Sequence, residues 1–307
     1  MYHISKSKLD LVNYPQLNKQ NIKLFIKRDD LIHPEVSGNK WRKLKYNIEH
    51  VLKNKLDGIM TFGGAYSNHL LATASACNKY KIKSIGVVRG DELNSSSNFL
   101  LKRCEQLGMQ LIFISRSDYQ FRNEKWFAEN LSIQFPKMFI VPEGGANYYG
   151  LIGCQEIIME IKQKVDDVFV ALGTGTTAAG ISMSLPKDTV LHVISALKGF
   201  DIKSNIENML LNYGFDKEYI YEAIKGIQPH EKDHFGGYGK YDNDLVREII
   251  DFNKVTGISL DPLYTGKVWV SLKKWILENN ISNKNILMIH TGGVFTGQEI
   301  LKKGFQD

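Results

Sequence analysis

Long apolar runs are missing from this chain. No stretch approaches the ~18 consecutive apolar residues of a membrane span, although 43% of the 307 residues are hydrophobic. The start, Met-Tyr-His-Ile-Ser-Lys-Ser-Lys, has no apolar run behind it to serve as a signal peptide. Cysteine is scarce. Cys77, Cys104 and Cys154 are odd in number and widely spread, which excludes a disulfide framework and fits a reducing, cytoplasmic setting. Proline is also low, at 7, and no low-complexity tract occurs, so disorder is disfavoured. The net charge of +6 is mild, and the lysines are scattered. That pattern reads as a solvated surface rather than a nucleic-acid patch. Neither HExxH nor a Cys/His ligand spacing appears, so zinc has no support. Without G-x-x-x-x-G-K-[ST], an NTPase is disfavoured too.

From Lys23 onward, short apolar runs alternate with longer amphipathic ones. Strands are expected at 23–27, 58–62, 82–88, 110–114, 138–141, 168–172, 190–195 and 286–290. Helices are expected at 39–52, 68–80, 97–107, 150–164, from 178, at 243–255 and at 265–278. Strands separated by helices of this length predict an α/β fold. Its open, twisted sheets should be mostly parallel, with helices on both faces. No linker divides the chain, so the expectation is a smaller domain inserted in a larger one. The larger would hold 1–42 and 143–307, the smaller 43–142. The glycine-rich stretch from Gly226 to Tyr241 reads as a long loop, and loops of that length are usually functional.

Ligands in open α/β sheets gather at the carboxyl ends of strands, and four loops there stand out. The first is Gly173-Thr174-Gly175-Thr176-Thr177, between an apolar strand and a helix start. Small residues let a ligand approach the backbone, and N–H groups at a helix start favour an anion. A dinucleotide would want an acid at the end of the next strand, yet none comes before Asp201. A single phosphate monoester is therefore favoured, with a merely tight turn as the bland alternative. The second loop is Gly63-Gly64-Ala65-Tyr66-Ser67-Asn68-His69. Ser67 or Asn68 can cap the helix, and the preceding glycines leave N–H groups that suit a carboxylate. His69 in the first helical turn reads more readily as packed than as catalytic. In the third loop Lys40 follows Ser-Gly-Asn at a helix start. The positive helix end disfavours an ammonium there, and an amine so biased is more nucleophilic toward carbonyls. The fourth is His290-Thr291-Gly292-Gly293, preceded by Asp261-Pro262-Leu263-Tyr264-Thr265-Gly266-Lys267. An anion cradle, an activated lysine and a carboxylate-holding cap are what a pyridoxal phosphate enzyme needs.

These motifs, in this order and spacing, resemble the 1-aminocyclopropane-1-carboxylate deaminase and D-cysteine desulfhydrase family, of the tryptophan synthase β-subunit-like fold. The resemblance runs from about Lys27 to Gly293. It implies that Lys40 holds the pyridoxal 5'-phosphate and that Asn68 hydrogen-bonds its 3-hydroxyl. Gly173 to Thr177 would take its phosphate. Ser67, with Asn68 and His69, would receive the substrate carboxylate. Tyr264, and Tyr238 in Gly-Gly-Tyr-Gly, would be the active-site tyrosines. Thr265 and Thr291 occupy two positions beside the cofactor where the deaminases carry Glu and Leu and the desulfhydrases carry hydroxyl residues. The expected activity is thus β-elimination from D-cysteine, with deamination of aminocyclopropane carboxylate as the alternative. A small amino-acid substrate and a homodimer come with the resemblance. Tyr66 stands where the family more often has Gln, and Lys240-Tyr241 where a proline is usual, so the pocket rim is this chain's own.

Overall fold

The structure is a computed structural model that describes residues 5–293; the first four residues of the start read above, and residues 294–307, lie outside the described part. In chain order it forms β1 (Lys8–Val12), α1 (Pro15–Asn18), β2 (Lys23–Arg28), α2 (Asn39–Lys53), β3 (Gly58–Gly63) and α3 (Asn68–Tyr80). Next come β4 (Lys83–Arg89), α4 (Phe99–Gln106), β5 (Met109–Ile114), α5 (Arg116–Tyr119), α6 (Lys125–Gln134), β6 (Met138–Val141) and α7 (Tyr148–Met159). The remainder is β7 (Asp167–Leu172), α8 (Thr176–Met183), β8 (Val190–Ser195), α9 (Ile202–Asn212), α10 (Lys217–Lys225), β9 (Ile227–His230), α11 (Asn243–Thr256), α12 (Thr265–Glu278) and β10 (Asn285–Ile289).

The described residues fall into two compact units, each with its own sheet. One holds His33–Val36 and Lys40–Gly153, around four parallel strands in the order β5-β4-β3-β6. The other holds Ser5–Ile32, Ser37–Asn39 and the chain from Cys154, around six strands in the order β1-β2-β10-β7-β8-β9. Only β1 runs antiparallel there. This is the α/β architecture that the alternation of strands and helices predicts.

Local chemistry explains the punctuation. Ser67 caps α3 by accepting the Leu70 N–H, and Lys81 closes that helix in the left-handed region at φ 55°. Asp242 caps α11 through the Leu245 N–H at 2.8 Å, and Gly257 ends it at φ 71°. β3 and β7 are buried along their whole length, as parallel strands covered on two faces must be. In the larger unit α12 packs on β7, β8 and β10. There Trp269 meets Tyr14 edge-on at 4.8 Å and Phe252 at 4.5 Å. Each such side chain contributes roughly 1.5–3 kcal/mol by leaving water.

The small unit extends to Gly153 because the start of α7 lies against α2. A Cβ on Gly153 would come within 1.9 Å of the Arg42 carbonyl oxygen. Two strands escaped the apolar pattern. β9 lies inside the expected loop from Gly226 to Tyr241; it is a four-residue edge strand carrying Pro229, which only an edge tolerates. β1 is an exposed edge whose alternation is weak. Helices α9 and α10 occupy a span between Ser195 and Gly226 that periodicity left unassigned.

Candidate active site

In the larger unit the expected residues stand at the carboxyl ends of parallel strands. β7 ends at Leu172, and Gly173 to Gly175 turn the chain into α8. Gly175 has φ +90°, and a Cβ there would lie 2.3 Å from Asn205 Oδ1, a buried oxygen with no hydrogen-bond partner. No side chain caps α8, so its first N–H groups are left without an internal partner. The Thr174 and Thr176 hydroxyls stand 3.2 Å apart, and Thr177 is buried beside them. The result is a small-residue cradle of donors suited to an anion.

The segment that precedes Lys40 is docked onto this region. Asn39 donates from Nδ2 to Thr177 Oγ1 at 2.9 Å, and from its backbone to the Thr291 carbonyl at 3.2 Å. Gly38 has φ +63°, and a Cβ on it would sit 1.9 Å from that same carbonyl oxygen. Only glycine can make so close an approach. His290 donates from Nε2 to the Ser259 carbonyl at 2.8 Å, which leaves Nδ1 to accept the Gly292 N–H at 3.3 Å. Through these contacts Thr291 and the turn before Lys40 are held together.

Asp261 builds the fourth loop. Its Oδ1 accepts the N–H groups of Leu263 and Tyr264, at 2.9 and 2.8 Å. Oδ2 accepts the Thr265 N–H at 3.0 Å and the Thr265 hydroxyl at 2.6 Å, while Thr265 Oγ1 takes the Asp261 N–H. Thr265 is therefore fully buried with its one proton committed to a carboxylate. The Tyr264 ring lies against the first loop: a Cβ on Gly173 would come within 3.3 Å of its Cε1. Tyr238 stacks edge-on to Tyr264, with ring centroids 6.4 Å apart at 61°.

The smaller unit carries Lys40, Ser67, Asn68 and His69. Lys40 is the second residue of α2 and half-buried, and its charge acts on His69. His69 is buried, and burial pushes its imidazole well below the usual histidine range, with the Lys40 and Lys43 charges adding. Its tautomer follows from its neighbour. Thr61 spends its hydroxyl proton on the Val141 carbonyl at 2.7 Å, so it can only accept from His69 Nε2 at 3.0 Å. Nδ1 is then a buried lone pair with no partner. Ser67 Oγ is the cap of α3, and Asn68 opens that helix. Asn39, Asp261 and His290 were missed as site residues. Asn39 and His290 work through hydrogen bonds to residues far away in sequence and Asp261 through the turn that follows it, and the only available hint was the place of each inside a glycine-bearing motif.

Three comparisons bear on this site. The family described as pyridoxal-phosphate dependent enzymes matches residues 5–198. A protein of Pyrococcus horikoshii that carries the name "putative 1-aminocyclopropane-1-carboxylate deaminase" is 31% identical over 280 residues, 88% of this chain and 84% of its own. The chain belongs to the pyridoxal-phosphate-dependent enzymes. Within them it falls in the 1-aminocyclopropane-1-carboxylate deaminase and D-cysteine desulfhydrase family. The bifunctional D-cysteine desulfhydrase/1-aminocyclopropane-1-carboxylate deaminase of Arabidopsis thaliana is 28% identical, over 88% of this chain and 72% of its own. A crystal structure of a deaminase homologue superposes with a TM-score of 0.79 at 25% identity, covering 99% of this chain and 95% of that one. The cofactor of this pyridoxal-phosphate-dependent enzyme is pyridoxal phosphate. The larger unit fits such a group: the uncapped start of α8 leaves backbone N–H groups beside the Thr174 and Thr176 hydroxyls, donors suited to a phosphate.

Proposed function

We propose that the enzyme is a lyase that removes the β-substituent of a small D-amino acid, D-cysteine, yielding pyruvate, sulfide and ammonia with uptake of one water. When bound, pyridoxal phosphate supplies the electron sink for charge developing at the substrate's α-carbon. In this reading Gly173 to Thr177 bind its phosphate, Asn68 its 3-hydroxyl, and Lys40 holds it through the side-chain nitrogen. The Lys40 side-chain amine would also take the substrate's α-proton. Ser67 and the N–H groups around Asn68 and His69 hold the carboxylate, while the neutral His69 ring, with its proton on Nε2, has no donor to give that anion. Tyr264 and Tyr238 would line the face open to the substrate's side chain, and Thr265 and Thr291 would help to hold the cofactor.

The observation that carries the choice is Thr265. A neutral residue whose single proton is committed to Asp261 offers no acid to a pyridine nitrogen. The sink is then a weak one, adequate for expelling a thiolate, whereas opening a cyclopropane expels carbon and demands more. The second reading, deamination of aminocyclopropane carboxylate to 2-oxobutyrate and ammonia, draws on the names its relatives carry. Assaying pyruvate plus sulfide from D-cysteine against 2-oxobutyrate from aminocyclopropane carboxylate separates the two. Product from the cyclopropane alone would reverse the choice. Lys40→Ala should abolish turnover, since general-base help alone is worth ~10²–10⁴ in rate; sulfide from that variant without added amine refutes the role. The reading extends to a cytoplasmic homodimer, which sedimentation of the holoenzyme checks.

A further inference from the structure

The long glycine-rich loop that follows β9 carries Tyr238 and is built as two successive turns. The Gly237 N–H closes the first on the His234 carbonyl at 3.0 Å, and the Lys240 N–H closes the second on the Gly237 carbonyl at 3.2 Å. Phe235, Gly236, Gly237 and Gly239 all have positive φ, between 48° and 108°, so the chain here has little regular structure of its own to hold it. Tyr238 sits at the corner of the second turn and is 65% exposed.

The same two carbonyls receive a second donor. Lys267 is 1% exposed, and its ammonium donates to the His234 carbonyl at 2.9 Å and to the Gly237 carbonyl at 3.0 Å. A buried cation resting on two backbone carbonyls, instead of on a carboxylate, is costly unless the geometry it enforces is useful. Its position on α12 is telling. Lys267 lies three residues after Tyr264, so the first turn of one helix supplies both the ring that Tyr238 meets and the clamp that holds the Tyr238 loop. Seven residues on, along the same helix face, Lys274 pairs at 3.0 Å with Asp233 at the root of the loop.

We infer that Lys267 is a positioning residue that clamps both turns of the 234–240 loop, so that Tyr238 stays against Tyr264 and the pair limits the width open to the substrate's side chain. The clamp stands on geometry; its link to the substrate rests on the reading of the two tyrosines given above. Burial lowers the Lys267 pKa from its ordinary value to about 8, with the Asp261 carboxylate opposing. Asp261, before α12, is the acid acting on it, and His234, Tyr238 and Lys240 are the titratable side chains of the loop itself. The clamp therefore weakens as pH rises through about 8.

Amide exchange of the holoenzyme tests the clamp directly. In Lys267→Met, which keeps the aliphatic stem, the Gly237 and Lys240 amides should exchange about tenfold faster. Amides of β7 and β10 should not change, and Lys267→Arg should restore protection. Should the methionine variant fail to fold, the wild-type protein serves: after correction for intrinsic rates, loop protection should fall between pH 7 and 9. Unchanged protection in the variant, or a flat profile, overturns the clamp. Steady-state kinetics tests the link. Lys267→Met should raise KM for D-cysteine several-fold more than it lowers kcat, and should narrow the preference over bulkier D-amino acids. A loosened loop with unaltered selectivity overturns the link to the substrate and leaves the clamp standing.

Discussion

Asp261 shows how much a single side chain can organise. Its carboxylate takes three backbone N–H groups and one hydroxyl, and it orders the turn that presents Tyr264 and Thr265. Asp261→Ala would leave those donors without an acceptor, at about 1–3 kcal/mol for each one that stays dry. We expect a loss of at least about 3 kcal/mol in denaturant unfolding, together with weaker cofactor retention measured by absorbance. Lys40 stands out at this scale because a lysine at the positive end of a helix is electrostatically misplaced. His69 was legible only in half. Its burial is the bland reading, and it is buried. The lone pair at Nδ1 depends on Thr61 and Val141, residues no local pattern ties to it.

At the scale of elements, strands that end in glycines and lead into helices marked where to look, because that junction is where backbone N–H groups come free. Gly38 belongs to this class. Gly38→Ala combines a positive φ with an approach of 1.9 Å to the Thr291 carbonyl oxygen. The Ser37–Asn39 segment would have to shift, at a cost above about 2 kcal/mol. We expect a lowered Tm and loss of the cofactor's visible absorbance, whereas Gly64→Ala, with open space around its Cβ, should leave both nearly unchanged. The elements that escaped notice were those with the least periodic signal. β9 has four residues and a proline, and its place is set by pairing with β8 from Leu191 to Ile194. A strand chosen by its neighbour leaves little trace in its own residues.

For the molecule as a whole, acid sensitivity should trace to carboxylates whose folded pKa lies below the unfolded one. Asp233 is held at about 2 instead of 3.8, chiefly by its hydrogen bond to His230, with Lys274 helping and burial opposing. The stability it contributes is complete above about pH 4 and is lost as pH falls toward 2. Asp233→Asn should therefore lower Tm at pH 7 and flatten its decline between pH 4 and 2. An unaltered slope there would assign the acid transition to other groups.

The residue pattern by itself determined the α/β class and the cofactor, and it singled out the loops proposed to bear the chemistry. Those depend on period, on glycine where the backbone must turn tightly, and on one lysine at a helix start, all properties of short windows. Only the tertiary structure decided which strands form each of the two sheets, that Asn39 and Thr291 meet before Lys40, that Asp261 takes the Thr265 proton, and that Lys267 grips a loop more than 25 residues before it. All but the Asp261–Thr265 contact are pairings between distant residues, and in every case hydrogen-bonding capacity alone does not name the partner; the packed chain does.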